Sequence, residues 1–139
     1  MSWTPLLEAP VIIQIHAFGA MAAVVLGVVQ IIAPKGALPH KAIGVVWIAI
    51  MAVIAVSSIF IRPALVDGLA LHEWFSPIHL FSLLTFYALG QGIYLLARGG
   101  ATMKYHSRPF IGLFIGGLVV AGVLSFLPGR IMHQVAFGG

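Results

Sequence analysis

Two histidines stand in the same apolar frame, "IHAFGAMAAVVLG" over Ile15–Gly27 and "IHLFSLLTFYALG" over Ile78–Gly90. An ionisable side chain at membrane depth is a functional-site candidate by default. A neutral imidazole ligates a metal through one ring nitrogen while the other donates to a carbonyl or carboxylate. Haem iron takes an axial ligand on each face. One histidine from each of two facing helices, at one depth, is therefore a donor set for haem b. His16 and His79 are the candidate pair, as metal ligands and as cofactor-binding residues. His40 and His106 form a second candidate pair nearer the other membrane face. Haems near both faces would carry electrons across the bilayer. The competing reading is plain packing, in which a neutral histidine donates to a carbonyl or headgroup and small residues beside it serve close helix contact.

These side chains need elements that hold them in lipid. The chain has 139 residues, 61% hydrophobic and 7% charged, with a mean hydropathy of +1.12. A soluble domain carries about 25% charged residues. Seven basic and three acidic residues cannot coat a globule of this length. There is no cysteine, so disulfides, thiolate–metal sites and iron–sulfur clusters are excluded. The net charge of +4 comes from basic residues scattered at helix ends, a topology signal rather than a nucleic-acid surface. The start "MSWTPLLEAP" lacks a basic stretch and carries Glu8, which speaks against a cleaved signal peptide.

Crossing about 30 Å of hydrocarbon takes about 20 apolar residues in a helix. Four stretches meet that length, at about residues 10–33, 42–61, 76–97 and 109–127. The expected fold is an all-α, four-helix transmembrane bundle forming a single domain over 1–139. Lys35 and Lys41 fall in the first loop, and Arg98, Lys104 and Arg108 in the third. Arg62 and Arg130 alone mark the other side, beside Asp67 and Glu73. This asymmetry places the first and third loops in the cytoplasm and both termini outside. Trp3, Trp74 and Phe75 then sit at the outer interface.

The two histidine frames align at an offset of 63, which also superposes Lys35 on Arg98 and Lys41 on Lys104. An offset of 68 relates the second span to the fourth through Ile43 and Ile111, Gly44 and Gly112, Ser57 and Ser125, Arg62 and Arg130. Two tandem hairpins of equal orientation pack about a pseudo-twofold axis along the membrane normal. His16 and His79 would then be symmetry mates. Gly27 and Gly90 each follow their histidine by eleven residues, nearly the same helical face, and Gly19 and Ser82 follow by three. The room these residues leave suits either close packing or a flat cofactor.

The stretch "HAFGAMAAVVLGVVQIIAPKGALPHKAIGVVWI", together with "SPIHLF" and "PGRIMH", resembles the bacterial membrane family called domain of unknown function 2306. The resemblance covers nearly the whole chain, and its loop reads "GALPHKAIG" from Gly36 to Gly44. That family name supplies no activity; it implies a bacterial membrane protein, and with the charge asymmetry the expectation is an inner-membrane protein with both termini periplasmic. More loosely, the chain resembles the four-helix core of two-haem transmembrane b cytochromes of the ascorbate-reducible type. That resemblance implies His16 with His79 on the outer haem and His40 with His106 on the inner one. His106, three residues ahead of the fourth span, departs from that pattern.

Further residues present weaker chemistry. Asp67, His72 and Glu73 share a loop at the side of His79 and His133, an oxygen–nitrogen set for zinc or copper without fixed spacing. Tyr87, Gln91 and Tyr94 recur at helical spacing and would line a quinone or proton path, or bond between helices. Gly112 and Gly116 make a packing face. Arg62 and Arg130 suit haem propionates, or snorkel to headgroups. No catalytic constellation stands out. The readings are a b-type haem electron-transfer protein; alternatively a cofactor-free accessory or assembly subunit of a larger respiratory or photosynthetic membrane complex; and third a small transporter or metal-handling protein. The partners implied are the lipid bilayer and a larger complex or a homo-oligomer.

Overall fold

In hydrocarbon no water bonds the backbone, so a chain this apolar must satisfy its amides and carbonyls within each segment. The computed structural model describes residues 1–68, 70, 73 and 79–138, with Pro63 and Ala64 described by backbone alone. A short α1 (Thr4–Leu7) precedes α2 (Val11–Ile32), α3 (Leu38–Leu65) and α4 (His79–Arg98). The fourth rod is made of a 3-10 segment (Gly100–Tyr105), α5 (Ser107–Leu113), a π-helical stretch (Phe114–Val120) and α6 (Ala121–Leu124). A terminal α7 (Ile131–Phe137) closes the chain. Four spans, Val11–Ile32, Leu38–Arg62, His79–Arg98 and Gly100–Leu124, are long and apolar enough to cross a membrane. The all-α, four-helix architecture expected from composition is the one observed.

The boundaries differ where local chemistry extends a helix. Pro39 lies in the first turn of α3, where its missing N–H costs nothing, so α3 starts earlier than expected. It also runs past Pro63 to Leu65. The fourth rod begins at Gly100, so His106 lies within it, as the residue between the 3-10 segment and α5, rather than ahead of it. The rod ends at Leu124, short of the expected 127. The short helices α1 and α7 were not expected. The opening of the third span, Ser76 to Ile78, lies outside the described residues, as do Trp74 and Phe75.

Helix ends in lipid leave carbonyls that need donors. At the end of α2, Lys35 Nζ donates to the carbonyls of Gln30 (2.9 Å) and Ile31 (2.7 Å). Ala33 is extended, as the residue before Pro34 must be. Gly36, at φ +83°, makes the turn that L side chains resist.

The rods pack in chain order around the bundle: α2 on α3, α3 on α4, α4 on α5, and α2 on the π stretch of the fourth rod. The first and third spans therefore stand diagonally opposed. The core consists of Ala23, Trp47, Met51, Ile54, Ala88, Leu89, Leu113 and Leu118. Trp47 anchors it: Nε1–H donates to the Ala23 carbonyl at 2.9 Å, and its ring meets Phe110 edge-on at 6.0 Å. A second cluster of Leu6, Ile13 and Val135, with Ile61 against it, joins α1 and α7 at the terminal end of the bundle. There Ser2 N–H donates to the Val135 carbonyl at 3.0 Å, so the two ends of the chain meet.

Candidate functional site

Polar side chains concentrate at both ends of the bundle. Near the terminal end, His16 is half-buried on α2 and turns its Nδ1 toward α3, 3.1 Å from the Ile54 carbonyl and 3.0 Å from Ser57 Oγ. The Ser57 hydroxyl donates to the same Ile54 carbonyl at 3.0 Å. The carbonyl can only accept, so the proton is assigned to Nδ1, leaving a bare lone pair on Nε2. One residue further on α3, Ser58 donates to the Ala55 carbonyl at 2.7 Å. Its oxygen lies 2.6 Å from Ser82 Oγ, and with Ser58 already donating, Ser82 is the donor between them. His79 is buried one turn before Ser82 on α4. The adjacent serines of α3 thus tie α2 on one side and α4 on the other.

The small residues near the histidines and deeper in the bundle have close neighbours. A Cβ on Gly19 would meet Ile54 Cγ1 at 3.3 Å, and Ser82 is bonded to Ser58. Deeper in the bundle, a Cβ on Gly27 would lie 2.5 Å from the Phe114 ring and 3.1 Å from Trp47 Nε1. On α4 the closely packed glycine is Gly92, whose added Cβ would strike the Phe110 ring. Gly90, the residue the repeat pairs with Gly27, faces open space. Phe110 and Phe114, four residues apart on the fourth rod, are knobs set into glycine holes on the third and first spans. Side chains thus stand against Gly19, Gly27 and Gly92 in this packing, and the bonds of His16 run to α3.

At the opposite end, Gln30 Nε2 donates to His40 Nε2 (3.2 Å) and to the His40 carbonyl (2.9 Å). His40 Nδ1 and Gln30 Oε1 are buried without hydrogen-bond partners among the described residues. A Cβ on Gly44 would press on the same Gln30 amide at 2.9 Å, so glycine there is what lets Gln30 fold over α3. Lys35 and His106 lie within electrostatic reach of His40. His106 Nδ1 is bonded to the Met103 carbonyl, and its ring meets Phe110 edge-on at 6.3 Å. The structure thus brings His40 and His106 to one end of the bundle, with Gln30 already on His40 Nε2.

Arg62 and Arg130 both lie exposed at the terminal end, Arg62 in the last turns of α3 and Arg130 capping α7. Among the described residues no three His, Asp or Glu side chains converge on a metal position. Asp67 is exposed, Glu73 bonds the Ala70 amide at 2.9 Å, His133 stacks near Phe137, and His72 lies outside the described residues. The paired serines of α3, the Gln30–His40 contact and the Phe110/Phe114 knobs escaped sequence reasoning. The "SS" of Ser57–Ser58 and the i, i+4 phenylalanines were the available signals. No family model, curated protein or solved structure matches the chain. What the geometry establishes is an integral-membrane four-helix bundle with polar interhelical ties near both ends.

Proposed function

We propose that this protein is a cofactor-free helical subunit that works by association within the membrane, as an accessory or assembly component of a larger membrane complex. What supports this reading is the packing: Ile54 and Ser58 stand against Gly19 and Ser82, one turn from the histidines, and deeper in the bundle Phe110 and Phe114 occupy the space next to Gly92 and Gly27. The exposed surface supports it too. Its 8496 Å² exceeds the roughly 7,000 Å² of a soluble monomer of this mass, and between 11% and 28% of each span's most apolar residues are buried. The five-to-two distribution of Lys and Arg favours both termini on the outer side, which is the periplasm if the membrane is the bacterial inner one that the family resemblance implies.

A second reading, a b-type haem protein, is favoured by one observation. His16 holds its Nδ1–H on a carbonyl and a serine oxygen, the support a ligating histidine uses, and keeps Nε2 free to ligate. When bound, haem would supply one-electron transfer; His16 and His79 would hold it, and Ile54 would have to yield its place. A reduced-minus-oxidised spectrum of the purified protein separates the two. The expected result is a flat trace and co-purification with a respiratory or photosynthetic complex. A haem b α-band that His79→Ala abolishes and His72→Ala retains would overturn the first reading.

A further inference from the structure

Helix α4 has two unlike polar faces. His79, Ser82, Thr85, Ala88, Leu89 and Gly92 are buried in the bundle. On the opposite side Leu83, Tyr87, Gly90, Gln91 and Tyr94 form one stripe, with Tyr87 65% and Tyr94 56% exposed. Away from their ends, the outward faces of the other spans are Val, Ile and Phe, such as Val25, Val53 and Ile115. Among the described residues of the four spans, Gln91 is the one exposed amide side chain. Gln91 lies twelve residues after His79, about 18 Å along the helix and inside the hydrocarbon.

That amide has two N–H donors and a carbonyl. Its single hydrogen bond among the described residues is a long one, Nε2 to Tyr87 Oη at 3.5 Å. Acyl chains can satisfy none of the rest, and a polar group left so in hydrocarbon is costly. The position beside it is open: nothing lies within 4 Å of where a Gly90 Cβ would be, so another helix backbone can approach closely. At the end of the stripe Arg98 folds back on its own helix, donating to Tyr94 Oη at 3.0 Å with its guanidinium 5.6 Å from that ring. Its charge stays at the headgroup level.

We propose that this face binds a second copy of the chain, in a twofold pair centred on Gln91. The argument is self-complementarity. A primary amide both donates and accepts, so two Gln91 side chains related by a twofold axis satisfy each other, with the Tyr87 hydroxyls beside them. Gly90 sets the close approach this requires. The pairing uses the outward face of α4 and is independent of what fills the bundle.

The native chain has no cysteine, so single-cysteine reporters are clean. Full-length Leu80→Cys and Val11→Cys variants in lipid vesicles are treated with a short bismaleimide over a range of protein-to-lipid ratios; Leu80 and Val11 are exposed at the starts of α4 and α2, where a thiol meets water. Leu80 precedes Gln91 by eleven residues and so shares its face. Leu80→Cys is expected to cross-link to a dimer that persists on lipid dilution, and Val11→Cys, on α2, is not. Adding Gln91→Leu to Leu80→Cys should weaken self-association about tenfold. Gln91 is exposed, so this change leaves the monomer's packing intact. A monomer at every ratio, equal cross-linking at Val11→Cys, or an unaltered dimer with Gln91→Leu would each overturn the proposal.

Discussion

A histidine in an apolar helix has to place two nitrogens, and His16 shows how this bundle does it. Nδ1–H is spent on α3, on an Ile54 carbonyl that its own helix leaves accessible and on the Ser57 oxygen. Interhelical hydrogen bonds within membranes average about 0.6 kcal/mol and reach about 1.7. His16→Ala is therefore expected to cost about 1 kcal/mol in a detergent or steric-trap unfolding measurement. Ser57→Ala should cost less, because the Ile54 carbonyl still accepts from the ring. Equal stability of His16→Ala and the native protein would show that the contact contributes nothing. The residue types were legible before the structure, since a titratable ring at that depth demands a partner. Which partner was not, because Ser57 and Ser58 differ by about 100° around α3 and serve different neighbours.

Between elements, the fourth rod does the packing work. Phe110 and Phe114 enter holes that only glycine leaves on the third and first spans. Filling those holes is overpacking, which costs about 1–3 kcal/mol in a well-packed core. Gly27→Ala and Gly92→Ala are thus expected to lower the free energy of unfolding by that amount. Gly112→Ala, with open space at its Cβ, should stay within about 0.5 kcal/mol of the native protein. Four variants of equal stability, Gly90→Ala being the fourth, would contradict the knob-and-hole account. The tandem repeat anticipated Gly90 as the counterpart of Gly27, whereas the packed glycine is Gly92. Two residues turn a helix by about 200°, so such a shift exchanges the inward face for the outward one. The fourth rod, with its 3-10 and π segments, does not repeat the geometry of the unbroken α3.

At the scale of the molecule, an even number of spans and the Ser2–Val135 bond put both termini on one face. In the topology proposed from the charge asymmetry, that face is the outer one. Fusions after Gly139 are expected to give an active periplasmic phosphatase and a dark fluorescent protein. A fluorescent C-terminal fusion would reverse the topology and with it the sidedness of every histidine. The same proposed topology would place His40, Gln30 and His106 at the cytoplasmic end and the serine ties at the periplasmic end.

Membrane residence, four spans and the parity of the termini were determined by the sequence alone, because a slab of hydrocarbon about 30 Å thick admits few ways to distribute this many apolar residues. Length and hydropathy are sums over a segment and need no knowledge of neighbours. The use of each small or polar residue was decided only by the tertiary structure. Whether Gly27 makes room for a ring, whether Gly90 stands open, and whether Gln91 points inward or to lipid depend on the rotation of each helix about its axis. In lipid most faces of these helices are apolar enough to turn outward, so hydropathy alone does not set that rotation. Knobs, glycine holes and a handful of interhelical hydrogen bonds do.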